Sequence, residues 1–312
     1  MNTIVIGGAG FIGSNLCERL VKEGHEVFCI DNFSLGNENN IRGLEKNALF
    51  HVMRNDATDA NELKATFEDA RPDYVFHLAA NSDIQASASD PEVEYKNTYT
   101  TTFQILSAMR NAGVKKLFFA STSAVYGDKR EEILDENTSN LSPISYYGAA
   151  KLGSEALISA YTYMNDMSSL VFRFPNVIGP HLTHGVIYDF MDRLSRDGSH
   201  LKILGDGRQT KPYIFVNDLV DAIIKFMNVP KGVSLYNVGV EGATSVKTIA
   251  DIVCEEMGLS NVSYEYTGGE SGWKGDVPRF LYNMDKIKAA GWTAKYTSDE
   301  AVRMTVRGLV RK

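Results

Sequence analysis

Residues 3–13 read Thr3-Ile4-Val5-Ile6-Gly7-Gly8-Ala9-Gly10-Phe11-Ile12-Gly13, an apolar, β-branched run that passes directly into a glycine-rich turn. The run predicts a buried strand, and the amphipathic stretch after it, Ile12 to Glu23, predicts a helix. Gly7 permits the tight turn, Gly10 lets a backbone approach a pyrophosphate, and Gly13 lets helix and strand pack closely. The first helical amides, at Phe11 and Ile12, then face the anion, because a helix amino terminus carries unpaired N–H groups and the positive end of the dipole. Glycines so spaced also serve packing alone. Asp31 separates the two readings: it ends the second strand, where a carboxylate bonds the hydroxyls of an adenosine ribose. The same acid repels a ribose phosphate, so NAD is expected over NADP.

Outward from this turn, the first half alternates short β-branched or aromatic runs with amphipathic stretches, the pattern of a parallel sheet with crossover helices. Strands are expected at Thr3 to Ile6, Val27 to Ile30, Leu49 to Met53, Tyr74 to Leu78, Lys116 to Ala120 and Leu170 to Phe174. Helices are expected at Ile12 to Glu23, Asn61 to Ala70, Glu92 to Ala112 and Tyr146 to Asn165. The predicted class is α/β: a Rossmann-type doubly wound parallel sheet with a smaller carboxyl-terminal α/β substrate lobe. Residues 1–174 and about 213–239 form the expected NAD-binding domain, since Tyr213 to Asn228 again reads as strand then helix; about 175–212 and 240–312 form the lobe. Further cofactor candidates are Asn32 beside Asp31, Asp56 and Ala57 after the third strand, and the Leu78-Ala79-Ala80 turn where the fourth strand ends. Asp56 reads equally as an adenine contact or a solvated loop residue.

Composition narrows the function classes. The net charge of −7 with interspersed signs leaves no basic stripe for a phosphate backbone, so nucleic acid is not an expected partner. No apolar run approaches the ~20 residues of a membrane span, and Met1 to Gly7 lacks the regions of a secretory signal, which predicts a cytoplasmic protein. Cys17, Cys29 and Cys254 lack paired spacing and read as small core residues. The six histidines lack a helical ligand pattern; His181 and His184 follow Pro180 in an expected loop, so no metal is anticipated.

A tyrosine and a lysine four apart on a helix share one face, where an ammonium stabilises a phenolate. Tyr147-Gly148-Ala149-Ala150-Lys151 supplies that pair. Lowering a tyrosine pKa from ~10 to ~7 takes roughly 4 kcal/mol, to be shared between Lys151 and a bound nicotinamide cation. Tyr282 and Lys286 have the same spacing but lie far downstream without a glycine turn or active-site strand, and read as structural. The strand before Tyr147 ends in Ala120-Ser121-Thr122-Ser123-Ala124, placing three hydroxyls where one can bond both a substrate hydroxyl and Tyr147.

On these residues the chain resembles the extended short-chain dehydrogenase/reductase superfamily, and within it the NAD-dependent sugar-nucleotide epimerases of the UDP-glucose 4-epimerase type. The resemblance covers nearly the whole chain through Gly7 to Gly13, Leu78-Ala79-Ala80, Asn97, Ser121 to Gly127, Tyr147 to Lys151, Arg173 to Pro180 and Tyr213 to Asp218. It implies Thr122 as the hydroxyl of the catalytic triad, with Ser123 a second contact, Tyr147 as base and Lys151 on the nicotinamide ribose. Asn97 is implied to orient that lysine or its water. For the substrate it implies Asn176, Lys211 where relatives commonly have arginine, and Asp276, with Arg279 and Lys274 as weaker contacts. Ser87 is implied as a sugar contact, with a helix-capping role equally open.

The implied reaction removes a proton through Tyr147 as hydride passes to NAD, giving a 4-keto sugar that takes the hydride back on its other face. Alternatives are a 4-dehydrogenase that releases the keto sugar, a 4,6-dehydratase, and a non-catalytic NAD-binding regulatory protein. Related dehydratases and decarboxylases carry an acid where this chain has Ala124, and uronate-handling relatives place arginine near Gln85. Both departures point away from elimination and from acidic sugars. Intact Tyr147 and Lys151 oppose the regulatory reading. Helices Glu92 to Ala112 and Tyr146 to Asn165 are implied to form a four-helix homodimer interface.

Overall fold

The first strand, β1 (Asn2–Ile6), is an interior strand of a seven-stranded sheet and is buried on both faces from Thr3 to Ile6. Around it run β2 (Glu26–Ile30), β3 (Phe50–Met53), β4 (Tyr74–His77), β5 (Lys116–Thr122), β6 (Ser168–Phe174) and β7 (Gly232–Asn237), in the order β7-β6-β5-β4-β1-β2-β3. The pairings of β1 with β2 and β4, of β2 with β3, and of β4 with β5 are parallel. The expected doubly wound sheet is therefore present, and the order reverses between β1 and β4, the crevice where such sheets bind ligands. The computed structural model describes residues 1–81, 87–130, 132–270, 272 and 275–311.

Helices α1 (Phe11–Lys22), α2 (Ala60–Ala70), α3 (Thr101–Ala112) and α4 (Tyr146–Met164) fall where the apolar spacing put them. Leu63 and Phe67 of α2, Ile105, Leu106 and Met109 of α3 and Ile158 of α4 close over Ile4, Ile6, Val75 and Leu117 in one cluster. Each fully buried aliphatic or aromatic side chain there is worth about 1.5–3 kcal/mol. The expected single helix from Glu92 to Ala112 is interrupted: Glu92–Glu94 is α-helical, Tyr95–Thr100 is a π-helical turn, and α3 follows. The seventh strand, β7, had no expected counterpart; its glycine start and weak alternation hide it.

The chain divides into two compact units. Met1–Val125, Ser142–Arg173 and Val220–Tyr236 form the first; Tyr126–Leu141, Phe174–Leu219 and Asn237–Lys312 form the second. Two segments differ from the sequence boundaries. Tyr126–Leu141 joins the second unit, where Ile133–Leu134 pairs with Leu281–Tyr282 and the Tyr126 hydroxyl donates to Asn237 Oδ1 at 2.7 Å. Tyr213–Phe215 pairs with Asn176–Ile178 in that same unit, so the return to the first begins only at Val220. The second unit is completed by α5 (Val186–Arg196), the start of α6 (Val216–Phe226), α7 (Val246–Glu256) and α8 (Ser298–Val310), the last opened by a Thr297/Glu300 capping box. Among the described residues no helix is long and apolar enough to cross a membrane, and no cluster of three His, Cys, Asp or Glu is placed to hold a metal.

Candidate active site

At the carboxyl end of β1 the chain turns through Gly7, whose φ of +82° is open to glycine at little cost. Its N–H donates to the Ile30 carbonyl at 2.8 Å, and a Cβ there would lie 2.8 Å from the Ala79 amide nitrogen. A Cβ on Gly13 would lie 2.1 Å from the Gly7 carbonyl oxygen, so the loop and α1 close on each other only with glycine. Gly10 caps α1 without a side-chain hydrogen bond, and the first turn contains no acid. An uncapped helix start at Phe11 and Ile12, where a Cβ on Gly10 would meet only the Gly7 carbonyl oxygen, fits the pyrophosphate of a dinucleotide.

Asp31 is 8% exposed and accepts from the amides of Ala9 at 3.0 Å and Phe33 at 2.8 Å. Burial pushes its carboxyl upward, against those two hydrogen bonds. One carboxylate thus ties the glycine loop to the turn after β2, a structural duty the sequence did not reveal. The Asn32 amide donates to Asp56 Oδ2 at 3.2 Å. Burial opposes ionisation of Asp56, yet its bonds from Thr58 and Asn32, with the Lys96 charge, hold it below the usual carboxylate range. Ala57 packs into the hydrophobic core, while Leu78, Ala79 and Ala80 are half-buried, with Ala79 against Gly7.

The reacting candidates lie where β5 ends. Ser145 caps α4 by accepting from the Gly148 amide at 3.1 Å, and a Cβ on Gly148 would lie 2.6 Å from the Ala124 carbonyl oxygen, so the helix starts directly against the turn Ser123–Tyr126. Tyr147 then comes close to the Thr122 hydroxyl, and the Lys151 amine donates to the Ala120 carbonyl at 2.7 Å. That amine lies 5.9 Å from the centre of the Tyr147 ring and 4.7 Å from that of Phe119. Burial pushes the Lys151 ammonium down to about 7, with Glu94 and Glu155 opposing the shift. Tyr147 moves the other way: burial and then Glu94 raise its phenol, with the Thr122 hydroxyl opposing. Lys151 does not by itself lower the phenol.

Two carboxylates absent from the sequence reading surround this pair. Glu94, 2% exposed, accepts from Asn81 Nδ2 and from Thr98 Oγ1, each at 2.8 Å. Glu155 accepts from Ser121 and from Arg173. Asn97, expected to orient Lys151 or its water, lies in the π-helical turn Tyr95–Thr100 and is exposed. The π-helical turn shifts the helical phase so that Glu94, Thr98, Thr101 and Thr102 face inward and Asn97 faces out. Ser123 is half-buried at the start of its turn, and Ser87 is 1% exposed. Gln85 and Lys274 lie outside the described residues.

In the second unit two of the expected substrate contacts engage each other. Lys211 is ion-paired with Asp276, whose other oxygen accepts from the Gly272 amide at 3.3 Å. Asn176 is exposed and lies close to the buried Tyr213, and Arg279 is exposed. Tyr282 lies in a strand and Lys286 in the helix Asp285–Ala289, so the second spacing match forms no helical pair.

The model of the NAD dependent epimerase/dehydratase family matches residues 3–239. A UDP-glucose 4-epimerase of Mycolicibacterium smegmatis is 32% identical over 312 residues, covering 98% of this chain and 97% of its own. The structure of a Thermotoga maritima UDP-glucose 4-epimerase with UDP-glucose superposes with a TM-score of 0.90 at 31% identity, covering 100% and 99% of the two chains. A Thermus thermophilus UDP-glucose 4-epimerase in complex with NAD gives 0.88 at 30% identity, again covering 100% and 99%. With the glycine turn, Asp31 and the Tyr147/Lys151 pair inside the matched span, this chain belongs to the NAD-dependent epimerase/dehydratase family.

Proposed function

We propose that the chain is an NAD-dependent sugar-nucleotide 4-epimerase whose reacting groups are Tyr147, Thr122 and Lys151. The observation that carries this assignment is the approach of the Tyr147 phenol to the Thr122 hydroxyl at the carboxyl end of β5, with Lys151 one turn along the same helix face. Tyr147 takes the proton from the sugar 4-hydroxyl and later returns it, while Thr122 bonds both oxygens. NAD, when held by the glycine turn and Asp31, would supply a hydride acceptor and donor for C4 and a positive charge near the Tyr147 phenol. Lys151, fixed by Ala120, holds the ribose side of the cofactor and supports the phenolate. Gly7, Gly10, Phe11, Ile12 and Gly13 cradle the pyrophosphate, and Asp31 with Asn32, Asp56 and Ala57 frames the adenosine. Ala124 stands where related dehydratases carry an acid, so the position that serves elimination holds no carboxyl, which favours oxidation and return over elimination of water.

For the nucleotide, the proposed contacts are Asn176, Lys211, Asp276 and Arg279, with Ser87 and Ser123 toward the sugar. A lysine at 211 gives a point charge rather than a guanidinium fork for the diphosphate. The first unit is the NAD-binding domain in this reading and the second the substrate lobe. UDP-glucose and UDP-galactose are the first substrates to test, given the relatives' activities. Three unpaired, buried cysteines suit a reducing, cytoplasmic setting.

Incubation with UDP-, GDP- and dTDP-sugars, followed by NMR and by the ultraviolet absorbance of the reduced cofactor, tests the assignment. Epimer without net NADH is the expected result. Stoichiometric NADH with a keto product would make the enzyme a dehydrogenase.

A further inference from the structure

Three successive residues of β5 hold three residues spaced four apart along one face of α4. The Ala120 carbonyl accepts from Lys151, the Ser121 hydroxyl donates to Glu155, and the Thr122 hydroxyl lies close to Tyr147. Glu155 is fixed from the neighbouring strand as well, because Arg173 of β6 donates through Nε to Oε1 at 2.9 Å and through Nη2 to Oε2 at 2.6 Å. The Arg173 and Glu155 side chains are 5% and 11% exposed. A buried ion pair of this kind gains little stability over apolar residues of the same volume, because desolvation offsets the attraction. A fixed register is the property such a pair does supply, and a bidentate guanidinium–carboxylate contact constrains both distance and angle.

We infer that Glu155 is a positioning residue of the reaction centre, setting through Ser121 and Arg173 the register in which α4 presents Tyr147 to Thr122 and Lys151 to Ala120. The inference rests on the assignment of Tyr147, Thr122 and Lys151 as the reacting set. Glu155 touches none of the reacting atoms; it acts through the Ser121 hydroxyl, one residue before Thr122, and by its charge one helical turn after Lys151. Its carboxylate favours the charged form of Lys151, as does Glu94, the other acid facing that amine, while Arg173 neutralises much of the Glu155 charge.

Ser121→Ala removes the hydroxyl that reports on Glu155 and leaves the Glu155–Arg173 pair intact. Its kcat for epimerisation should fall by about tenfold to a hundredfold, the scale of a misplaced catalytic group. KM, the NAD dissociation constant and Tm should stay close to those of the unchanged protein. Glu155→Gln should move the alkaline limb of the kcat–pH profile to lower pH, since Lys151 then loses its proton more readily. A purely structural role would lower Tm and cofactor affinity together and leave the pH limb in place. If Glu155→Gln does not fold, Ser121→Ala decides alone. Tyr147→Phe in the same assay separates the two levels of the argument. An inactive Tyr147→Phe with fully active Ser121→Ala overturns the role of Glu155 only, whereas an active Tyr147→Phe overturns the site assignment and this inference with it.

Discussion

The Lys151 amine donates to the Ala120 carbonyl across 2.7 Å, from a side chain that is fully buried. A backbone carbonyl is a weak substitute for the water an ammonium gives up, so the amine is held close to neutrality, at about 7. The fold therefore accepts an unfavourable group where β5 meets α4. Strain of this kind is expected at a reaction centre and gives that centre a measurable signature.

Lys151→Met should abolish epimerisation and change the stability of the cofactor-free protein in a pH-dependent way. The Lys151 pKa falls from 10.5 to about 7 on folding, so between those values the unfolded chain binds more protons. Stability then rises with pH across that window, the penalty being full below about 7 and absent above about 10.5. The Tm of Lys151→Met relative to the unchanged protein should be most favourable near pH 7 and decline steadily toward pH 10. Loss of the bond to Ala120 shifts that difference by an amount independent of pH, so the slope is the test. Calorimetry showing no slope would remove Lys151 from the list of buried bases.

Tyr147→Phe deletes one hydroxyl on a helix whose cap and packing it does not touch. Epimerisation should fall by about 10² to 10⁴, the range for losing general acid–base catalysis, with NAD affinity unchanged. Thr122→Val, which removes the partner hydroxyl at nearly constant shape, should cost roughly tenfold. Titration of both variants with NAD by calorimetry, beside turnover assays, distinguishes this pattern from a binding defect.

The fold was legible in the sequence because its decisive signals are local. Glycine spacing at Gly7, Gly10 and Gly13 and apolar runs such as Thr3 to Ile6 depend on neighbours along the chain. Tyr147 and Lys151 were legible for the same reason, since the helical period alone puts them on one face. Glu94 was not, because its inward orientation depends on the π-helical turn Tyr95–Thr100, which also carries Asn97 outward. Glu155 was not, because its meaning depends on which strand α4 packs against and on Arg173 in the next strand. Lys211 and Asp276 were each legible as charged candidates, but their mutual pairing joins positions 65 residues apart. Long-range electrostatics of this sort leaves no periodic trace.

Asp31→Ala should act on two properties at once. The Ala9 and Phe33 amides would lose their acceptor, at a cost of about 1–3 kcal/mol for each donor left buried and unpaired. Discrimination against NADP should weaken too, because the carboxylate that repels a ribose phosphate is gone. Asp31→Asn retains an acceptor oxygen, so it should relax cofactor selectivity with a smaller loss of Tm. Dissociation constants for NAD and NADP measured on both variants check this, and unchanged selectivity in Asp31→Ala would free Asp31 of any role in cofactor choice.

Helices α3 and α4 meet through the Ser107 and Tyr161 hydroxyls at 3.2 Å and an edge-on contact between Phe103 and Tyr161. Beside this seam Tyr95, Phe103, Tyr163 and Met164 remain 66%, 44%, 86% and 76% exposed. Aromatic and methionine side chains left outward on adjacent helices favour association, since monomers seldom expose such groups together. A homodimer through a four-helix bundle of α3 and α4 from each copy is the proposed assembly. Sedimentation at micromolar concentration should give a dimer, and Phe103→Glu, which puts a charge into the seam, should shift it to monomer while NAD binding to the single chain persists. A wild-type protein that sediments as a monomer would rule this assembly out.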